Sequence, residues 1–474
     1  MSENREHFSS RLGFILAAAG SAVGIGNLVG FPVSATKNGG GAFLLIYALF
    51  VAFVCLPVMM AEMAMGRHAQ KDPLGSYKLL ANNDKKWQAA GFLAVLTPFM
   101  IAVFYMVITV WIFGYLTQTA LGNLDILAQP SHFGEFINSY TVFGYMAVVV
   151  AIVNLILLGG VKAGIEKAAK FLMPALFVML LILVTYVLTL DNAMAGVEYY
   201  IIPDFSKMNA SVLNGALSQA FFSLSLGMGI LMTYASYISK KDDIVGSAKM
   251  VAITDSLVAF VAGLMILPAI FSFDPSTDPT KLSDSSVSMI FVYLPKILLA
   301  LQNDIGYVGA SAVAFAFFLL VFFAAITSLV SIVEVPTATL SDRKGISRKK
   351  ALGILTLTTG VLTVLCTASF GMIDSLTSLT NYGGANKSFF DIIVDVFYDT
   401  ILPLNGLMVC LFVMYRWKKA RLTQELSIGS PQYAGSFTEK YVNFSLSTFI
   451  PVILLVILIN TIANKFFEFK LFGF

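Results

Sequence analysis

Residues 20–27 read Gly20-Ser21-Ala22-Val23-Gly24-Ile25-Gly26-Asn27 and lie in the middle of the first long apolar stretch. A continuous membrane helix should not contain such a run. Glycine is about 1 kcal/mol worse than alanine in a helix interior. Gly24 and Gly26, two apart and followed by Asn27, invite the backbone to unwind at bilayer depth. Unwound backbone there survives only where buried protein, water or a bound solute satisfies its donors and acceptors. The run is therefore either a costly accident or a binding site.

The setting is a membrane. The 474 residues are 58% hydrophobic and 12% charged, with mean hydropathy +0.83, outside the range of soluble domains. A net charge of +3 is too small to suggest nucleic acid as a partner. Cys55, Cys366 and Cys410 all fall in apolar segments and read as packing thiols, not a disulfide framework. The polar first twelve residues and the long apolar run after them do not fit a cleavable signal peptide.

Eleven apolar spans are predicted, at 12–36, 42–66, 88–121, 141–159, 168–190, 212–238, 244–272, 305–340, 350–370, 388–415 and 443–464. Lys and Arg collect in alternate loops: Arg5 and Arg11, Arg67 to Lys86, Lys162 to Lys170, Lys240 to Lys249, Arg343 to Lys350, and Arg416 to Arg421. The stretch 122–140 carries Asp125 and Glu135 with no Lys or Arg. The positive-inside rule then places the N-terminus in the cytoplasm, and an odd count places the C-terminus outside. Trp87 and Trp111, near the ends of span 3, suit an interfacial aromatic belt.

Span 6 repeats the anomaly, with Ser223-Leu224-Ser225-Leu226-Gly227-Met228-Gly229. Five spans separate the two breaks, so the two helices run in opposite directions. That is the pattern of a five-plus-five inverted repeat whose paired broken helices hold substrate and ions near the midplane. The half-helix after a break offers free N–H groups and a positive dipole end, suited to a carboxylate. The half-helix before it offers free carbonyls, suited to a cation. The expected architecture is thus an all-α membrane protein with a tail (1–11), a first repeat (12–190), a second repeat (212–415) and a final helix (443–464).

Several motifs stand together: Arg5-Glu6-His7, GSAVGIGN running into Phe31-Pro32, Asn38 to Phe43 (NGGGAF), FFSLSLGMG at 221–229, Thr233 to Tyr237 (TYASY), and Ala324-Ala325-Ile326-Thr327-Ser328. With them the chain resembles the neurotransmitter:sodium symporter family over nearly its whole length, in particular the bacterial LeuT-like amino-acid transporters, and the resemblance implies the LeuT fold. It also implies two sodium sites. One would use the carbonyls of Gly20, Val23 and Ala324 with the hydroxyls of Thr327 and Ser328, although hydroxyls at such positions also back-bond within their own helix. The other would use the Ala22 carbonyl, Asn27, Ser223 and Asp255. Asp255 departs from the asparagine usual in the family, and an intramembrane carboxylate is either functional or a protonated structural group. Chloride-dependent members bind the anion with residues that match Tyr47, Gln219 and Ser223, but their helix 7 serine is Ala259 here. Asp255 is therefore expected to supply the fixed negative charge, with no chloride requirement.

The resemblance places the substrate carboxylate on the Ile25 and Gly26 amides and the Tyr105 hydroxyl. The carbonyls of Ala22, Phe222 and Ser225 would accept from its amino group. Gly24 stands where amine transporters of the family carry an aspartate, and it leaves room for a carboxylate. Ile101, Phe222, Ser225, Met228, Ser328 and Ile332 would line the side-chain pocket, which suits a neutral, apolar amino acid. The inner gate would pair Arg5 with Asp342 above Ser236 and Tyr237, with Phe8 at the usual tryptophan position. The outer gate departs from the pattern. Gly30 replaces the arginine that would pair with Asp395, leaving Tyr105 and Phe222 as the lid. That gap keeps open a non-α amino acid or an osmolyte such as taurine or a betaine. A sodium-dependent amino-acid sensor of the same fold is a further alternative. His7, His68 and His132 lie in loops or the tail, and no HExxH or GxSxG motif occurs, so nothing points to an enzyme. Asp255 and Glu334 are the candidates to titrate. The expected setting is a bacterial inner membrane, with lipid and a small-molecule substrate as partners and no obligate protein partner.

Overall fold

The computed structural model describes residues 6–273 and 286–469. Among them, nine helices are long and apolar enough to cross a membrane, and the bent pair Arg11–Ala22 and Gly26–Lys37, meeting at 52°, makes a tenth span. The continuous spans are Gly41–Ala69 (span 2), Lys85–Ala120 (3), Thr141–Leu158 (4), Gly160–Val187 (5), Ile244–Phe273 (7), Gln302–Arg343 (8), Arg348–Ala368 (9), Phe389–Ser427 (10) and Phe437–Phe467 (11). The remaining expected span, 6, is Ala210–Ser223 followed by Ile230–Ala235, each too short to cross alone. Both breaks fall at the glycine runs.

The first half-helix sits at the centre because its residues are small. Ala17, Ala18, Ala19, Gly20, Ser21 and Ala22 are all buried, and this helix packs on spans 5, 7 and 8. At Gly20 a Cβ would lie 3.3 Å from the Met173 sulfur and 3.4 Å from the Thr327 Cβ. Spans 3 and 8 form the most extensive helix contact beside it, bringing Tyr105 and Ser328 to the first break. The face that carries the N-terminal tail is called the tail side below, and its opposite the far side. On the far side, strands Thr380–Tyr382 and Ala385–Lys387 form a hairpin between spans 9 and 10.

The cysteines are free and fully buried, as expected of packing thiols. The tryptophan assignment needs correction. Trp111 is fully buried, with Phe133, Phe291 and Phe370 packed edge-on around it at 5.4, 5.9 and 4.8 Å. Trp87 is partly buried against Phe412, 4.9 Å away. Proximity to a span end does not make a belt residue where another helix covers that end. Trp111→Ala is expected to destabilise the protein by about 3–5 kcal/mol, read as a lowered thermal unfolding transition in detergent.

Candidate functional site: two broken helices

The first half-helix is capped by the Ser10 hydroxyl, which accepts from the Gly13 N–H, and its last helical bond runs from Val23 N–H to the Ala19 carbonyl at 2.7 Å. Val23 is extended, with ψ 102°. The carbonyls of the final turn therefore have no continuing helix to bond to. Side-chain hydroxyls reach them. The Ser21 carbonyl accepts from Ser225 Oγ at 3.1 Å and from Ser328 Oγ at 3.0 Å, and the Val23 carbonyl accepts from Ser328 Oγ at 3.3 Å. One carbonyl thus ties both breaks to span 8. The sequence reading did not single out Ser21. Its signal was only its place in the run.

Past the break, backbone donors turn to side chains. The Gly24 N–H donates to Asn27 Oδ1 at 3.1 Å, and the Ile25 N–H to the Tyr105 hydroxyl at 3.3 Å. A Cβ on Gly24 would lie 2.7 Å from Ser328 Oγ and 2.8 Å from Tyr105 Oη, so any side chain there must displace one or both hydroxyls. At Gly26 the neighbour is the Phe222 ring, 3.0 Å from an added Cβ.

The second break uses left-handed backbone at Ser225 (φ 54°), Gly227 (φ 76°) and Gly229 (φ 66°). Its polar groups are also satisfied. Gly227 N–H donates to Glu62 Oε1 at 2.7 Å, while Asn405 Nδ2 donates to the Gly227 carbonyl at 2.9 Å and to Thr97 Oγ1 at 2.9 Å. Glu62 and Asn405 were missed from sequence. For Glu62 a signal existed, since a carboxylate inside an apolar span needs a purpose.

Asn27, Ser223 and Asp255 meet beside the first break, all buried. Asn27 Nδ2 donates to Ser223 Oγ at 2.9 Å and to Asp255 Oδ1 at 2.7 Å. Asp255 Oδ2 accepts from Ser223 Oγ at 2.8 Å and from the Tyr47 hydroxyl at 3.2 Å. The carboxylate therefore occupies the point on which Tyr47 and Ser223 converge. Gln219 does not join them. Its Nε2 donates to the Gly26 carbonyl at 2.9 Å. Ala22 is the last residue of the first half-helix. Gly20 lies against Thr327, and the Val23 carbonyl against Ser328. Thr327 Oγ1 donates to the Phe323 and Ala324 carbonyls, both at 3.0 Å, so the back-bonding expected of such a hydroxyl is present as well.

Tyr105 and Ser328 both stand against Gly24. Ile101 and Ile332, one turn away on the same faces, are buried, as is Met228. Half-buried Phe222 packs its ring edge-on to Tyr398, centroids 4.5 Å apart. Tyr398 was not anticipated.

On the tail side, Arg5 lies outside the described residues. Asp342 Oδ2 accepts from the Asp72 N–H at 3.2 Å. The Tyr237 hydroxyl donates to Glu334 Oε1 at 2.8 Å, and Arg348 grips both Glu334 oxygens, one of them at 3.0 Å. Glu334 is thus engaged as an ion pair. Phe8 fills its position by edge contacts with Phe14, Tyr234 and Tyr237 at 5.6, 5.7 and 6.4 Å. Arg11 bonds Asp243 at 3.0 Å. Burial pushes the Asp243 carboxyl up, but the Gly246 N–H, the Ser430 hydroxyl and Arg11 outweigh it and hold it below the usual aspartate range. Arg67, counted among the loop cations, is fully buried and bonds Glu425 at 2.8 Å.

On the far side, Gly30 faces Gln219, whose Oε1 would lie 3.6 Å from an added Cβ. Asp395 is nonetheless paired, with Lys465 at 2.8 Å and Lys387 at 3.1 Å.

The model of the sodium:neurotransmitter symporter family matches residues 5–127 and 131–472. The chain belongs to this family. It is a multi-pass, sodium-dependent transporter, not an enzyme. It is 34% identical to YhdH, an uncharacterized sodium-dependent transporter of Bacillus subtilis, over 98% of this chain and 99% of the relative. A second uncharacterized sodium-dependent transporter, from Methanocaldococcus jannaschii, is 38% identical over 73% of this chain and 72% of its own length. The crystal structure of MhsT in complex with L-phenylalanine superposes with TM-score 0.81 at 36% identity, covering 96% of this chain and 99% of that one. The family fold, with its two interrupted helices, is the fold of this chain.

The Glu62 contact separates acceptor from charge. Glu62→Ala leaves the buried Gly227 N–H unpaired and should cost about 1–3 kcal/mol, whereas Glu62→Gln keeps an acceptor and should unfold within a few degrees of the parent. Thermal unfolding of the two variants checks this.

Proposed function

We propose that the chain imports a neutral, apolar amino acid with sodium by alternating access, across a bacterial inner membrane with the tail side in the cytoplasm. The observation that carries this reading is the Ile25 N–H facing the Tyr105 hydroxyl at 3.3 Å across the first break. A carboxylate placed there draws on both donors and on the positive end of the second half-helix. Gly24 gives it access. L-phenylalanine in the solved MhsT complex supports a ligand of this class.

Two sodium ions fit the reading. One lies among the carbonyls of Gly20, Val23 and Ala324 and the hydroxyls of Thr327 and Ser328. The other lies among the Ala22 carbonyl, Asn27, Ser223 and Asp255, where a half-turn of the Asn27 amide brings Oδ1 to the ion. The substrate carboxylate completes this second shell. Ion and substrate therefore raise each other's affinity, the reciprocity that coupling requires. The orientation rests on the alternation of Lys and Arg between loops.

Asp255 carries the proposal of chloride independence. Its Oδ2 already accepts from Tyr47 and Ser223, so a fixed anion stands where a chloride would be held. A second reading has its own observation. Gly30 leaves space beside Gln219 where the family carries a guanidinium, which admits a non-α amino acid, taurine or a betaine.

Thermal unfolding with amino acids, taurine and betaines, each with and without sodium, identifies the substrate as the compound that stabilises more when sodium is present. Proteoliposomes then separate transporter from sensor. Saturable accumulation driven by a sodium gradient supports transport, and binding without accumulation overturns it. Uptake in gluconate is expected to equal uptake in chloride. Asp255→Asn should either abolish uptake or make it chloride-dependent, and full chloride-independent activity in that variant would remove Asp255 from the role.

A further inference from the structure

The far side lacks the guanidinium of Gly30's position yet shows a complete charge cluster. Lys465, near the end of span 11, places its Nζ 2.8 Å from Asp395 Oδ1 and 2.8 Å from Asp399 Oδ2. It thus bridges two acids one turn apart on span 10. Lys387, at the end of the hairpin, reaches Asp395 Oδ2 at 3.1 Å, and the Tyr382 hydroxyl donates to the same oxygen at 3.1 Å. Two acids and two lysines balance. Removing Lys465 leaves two carboxylates facing one ammonium.

The hairpin and the end of span 11 are fitted to each other. Gly383 and Gly384, both with positive φ, form the two-residue turn, and a Cβ on Gly383 would lie 2.2 Å from the Lys465 carbonyl. Tyr382 stacks on Phe466 with centroids 5.0 Å apart. Lys465 is therefore delivered to the acids by a seated element, not by a free tail. Its side chain is 40% exposed, wet enough for the pair to break and re-form.

The acids flank the lid. Tyr398 directly precedes Asp399, and its ring meets Phe222 at 4.5 Å and Phe104 at 6.0 Å. Whatever fixes this turn of span 10 also fixes the ring over Phe222. We propose that Lys465 is the cation that closes the far side of the transport pathway, a positioning residue that acts through Asp395, Asp399 and Tyr398 in place of a cation at position 30. This rests on the transport reading above.

The test keeps the two ideas apart. The parent must first show sodium-dependent binding of L-phenylalanine, the probe used here. If it does not, L-phenylalanine is not the ligand, and the same assay is run with the compound the unfolding screen identifies; if no compound in that screen binds with sodium, the transport reading fails. A Gly30→Cys background, half-buried and with ordinary van der Waals room for a Cβ, then reports far-side access to a membrane-impermeant thiol reagent. The natural cysteines are fully buried. Sodium with the probe should slow labelling in this background. Lys465→Met should raise that labelling rate by about tenfold, the scale of losing a partly buried charge pair in a two-state equilibrium, and leave the rate without probe unchanged. Lys465→Arg should restore slow labelling. A merely structural loss would raise labelling in every condition. Should Lys465→Met not fold, Asp399→Asn removes the bridge alone and should shift labelling in the same direction. Folded Lys465→Met, or in its absence folded Asp399→Asn, that labels like the background overturns the proposal. So does the full effect appearing in Lys387→Met while Lys465→Met has none.

Discussion

Backbone that leaves a helix inside a membrane must find partners within the protein, and this requirement organises the molecule. The Ser21 carbonyl, freed at the end of the first half-helix, is reached by hydroxyls from span 6 and span 8. Gly227, freed in span 6, is held by Glu62 of span 2 and Asn405 of span 10. Four spans are thus committed to two interruptions. One of these commitments also sets the surroundings of the first break: Ser328 faces Gly24 because it serves the Ser21 and Val23 carbonyls. The site is not added to a scaffold. It is what remains when the two breaks have been satisfied.

Charge inside the bundle follows the same accounting. A buried carboxylate is tolerated where donors surround it. Asp255 has Asn27, Ser223 and Tyr47; Glu334 has Arg348 and Tyr237; Glu62 has one backbone N–H on one oxygen. These environments differ in what they permit. Glu334 is an ion pair and behaves as a strut between spans 8 and 9. Asp255 is ringed by the neutral donors Asn27, Ser223 and Tyr47.

The breaks were legible in the sequence because glycine pairs at bilayer depth have few explanations, and their spacing by five spans fixed the architecture. Asn27, Ser223 and Asp255 were legible as a set through the resemblance to the family, and Asp255 also as a carboxylate in an apolar span. Glu62 and Asn405 carried a signal of the same kind, as polar residues inside apolar spans, while Tyr398 carried none, since a tyrosine in a membrane helix has many ordinary uses. Trp111 misled for a related reason. Sequence position marks the end of a span, but burial there depends on Phe133, Phe291 and Phe370, contributed by elements that no local pattern brings together.

This contrast explains why the centre follows the family pattern and the rim does not. A carbonyl left by Val23 can be served only by a group within hydrogen-bond reach, so Ser328 has little freedom. A charge pair that holds two helices together has a weaker requirement: opposite charge, at the right depth, from any element that arrives there. Asp395 keeps a cationic partner although Gly30 cannot provide one, because Lys465 and Lys387 approach from span 11 and the hairpin. Moving the cation off span 1 also changes what closure is coupled to. A guanidinium at position 30 would move with the half-helix that carries the Ile25 and Gly26 amides. In the closure proposed above Lys465 instead ties this turn of span 10 to the last span, so the half-helix that carries those amides and the element that supplies the cation are separate.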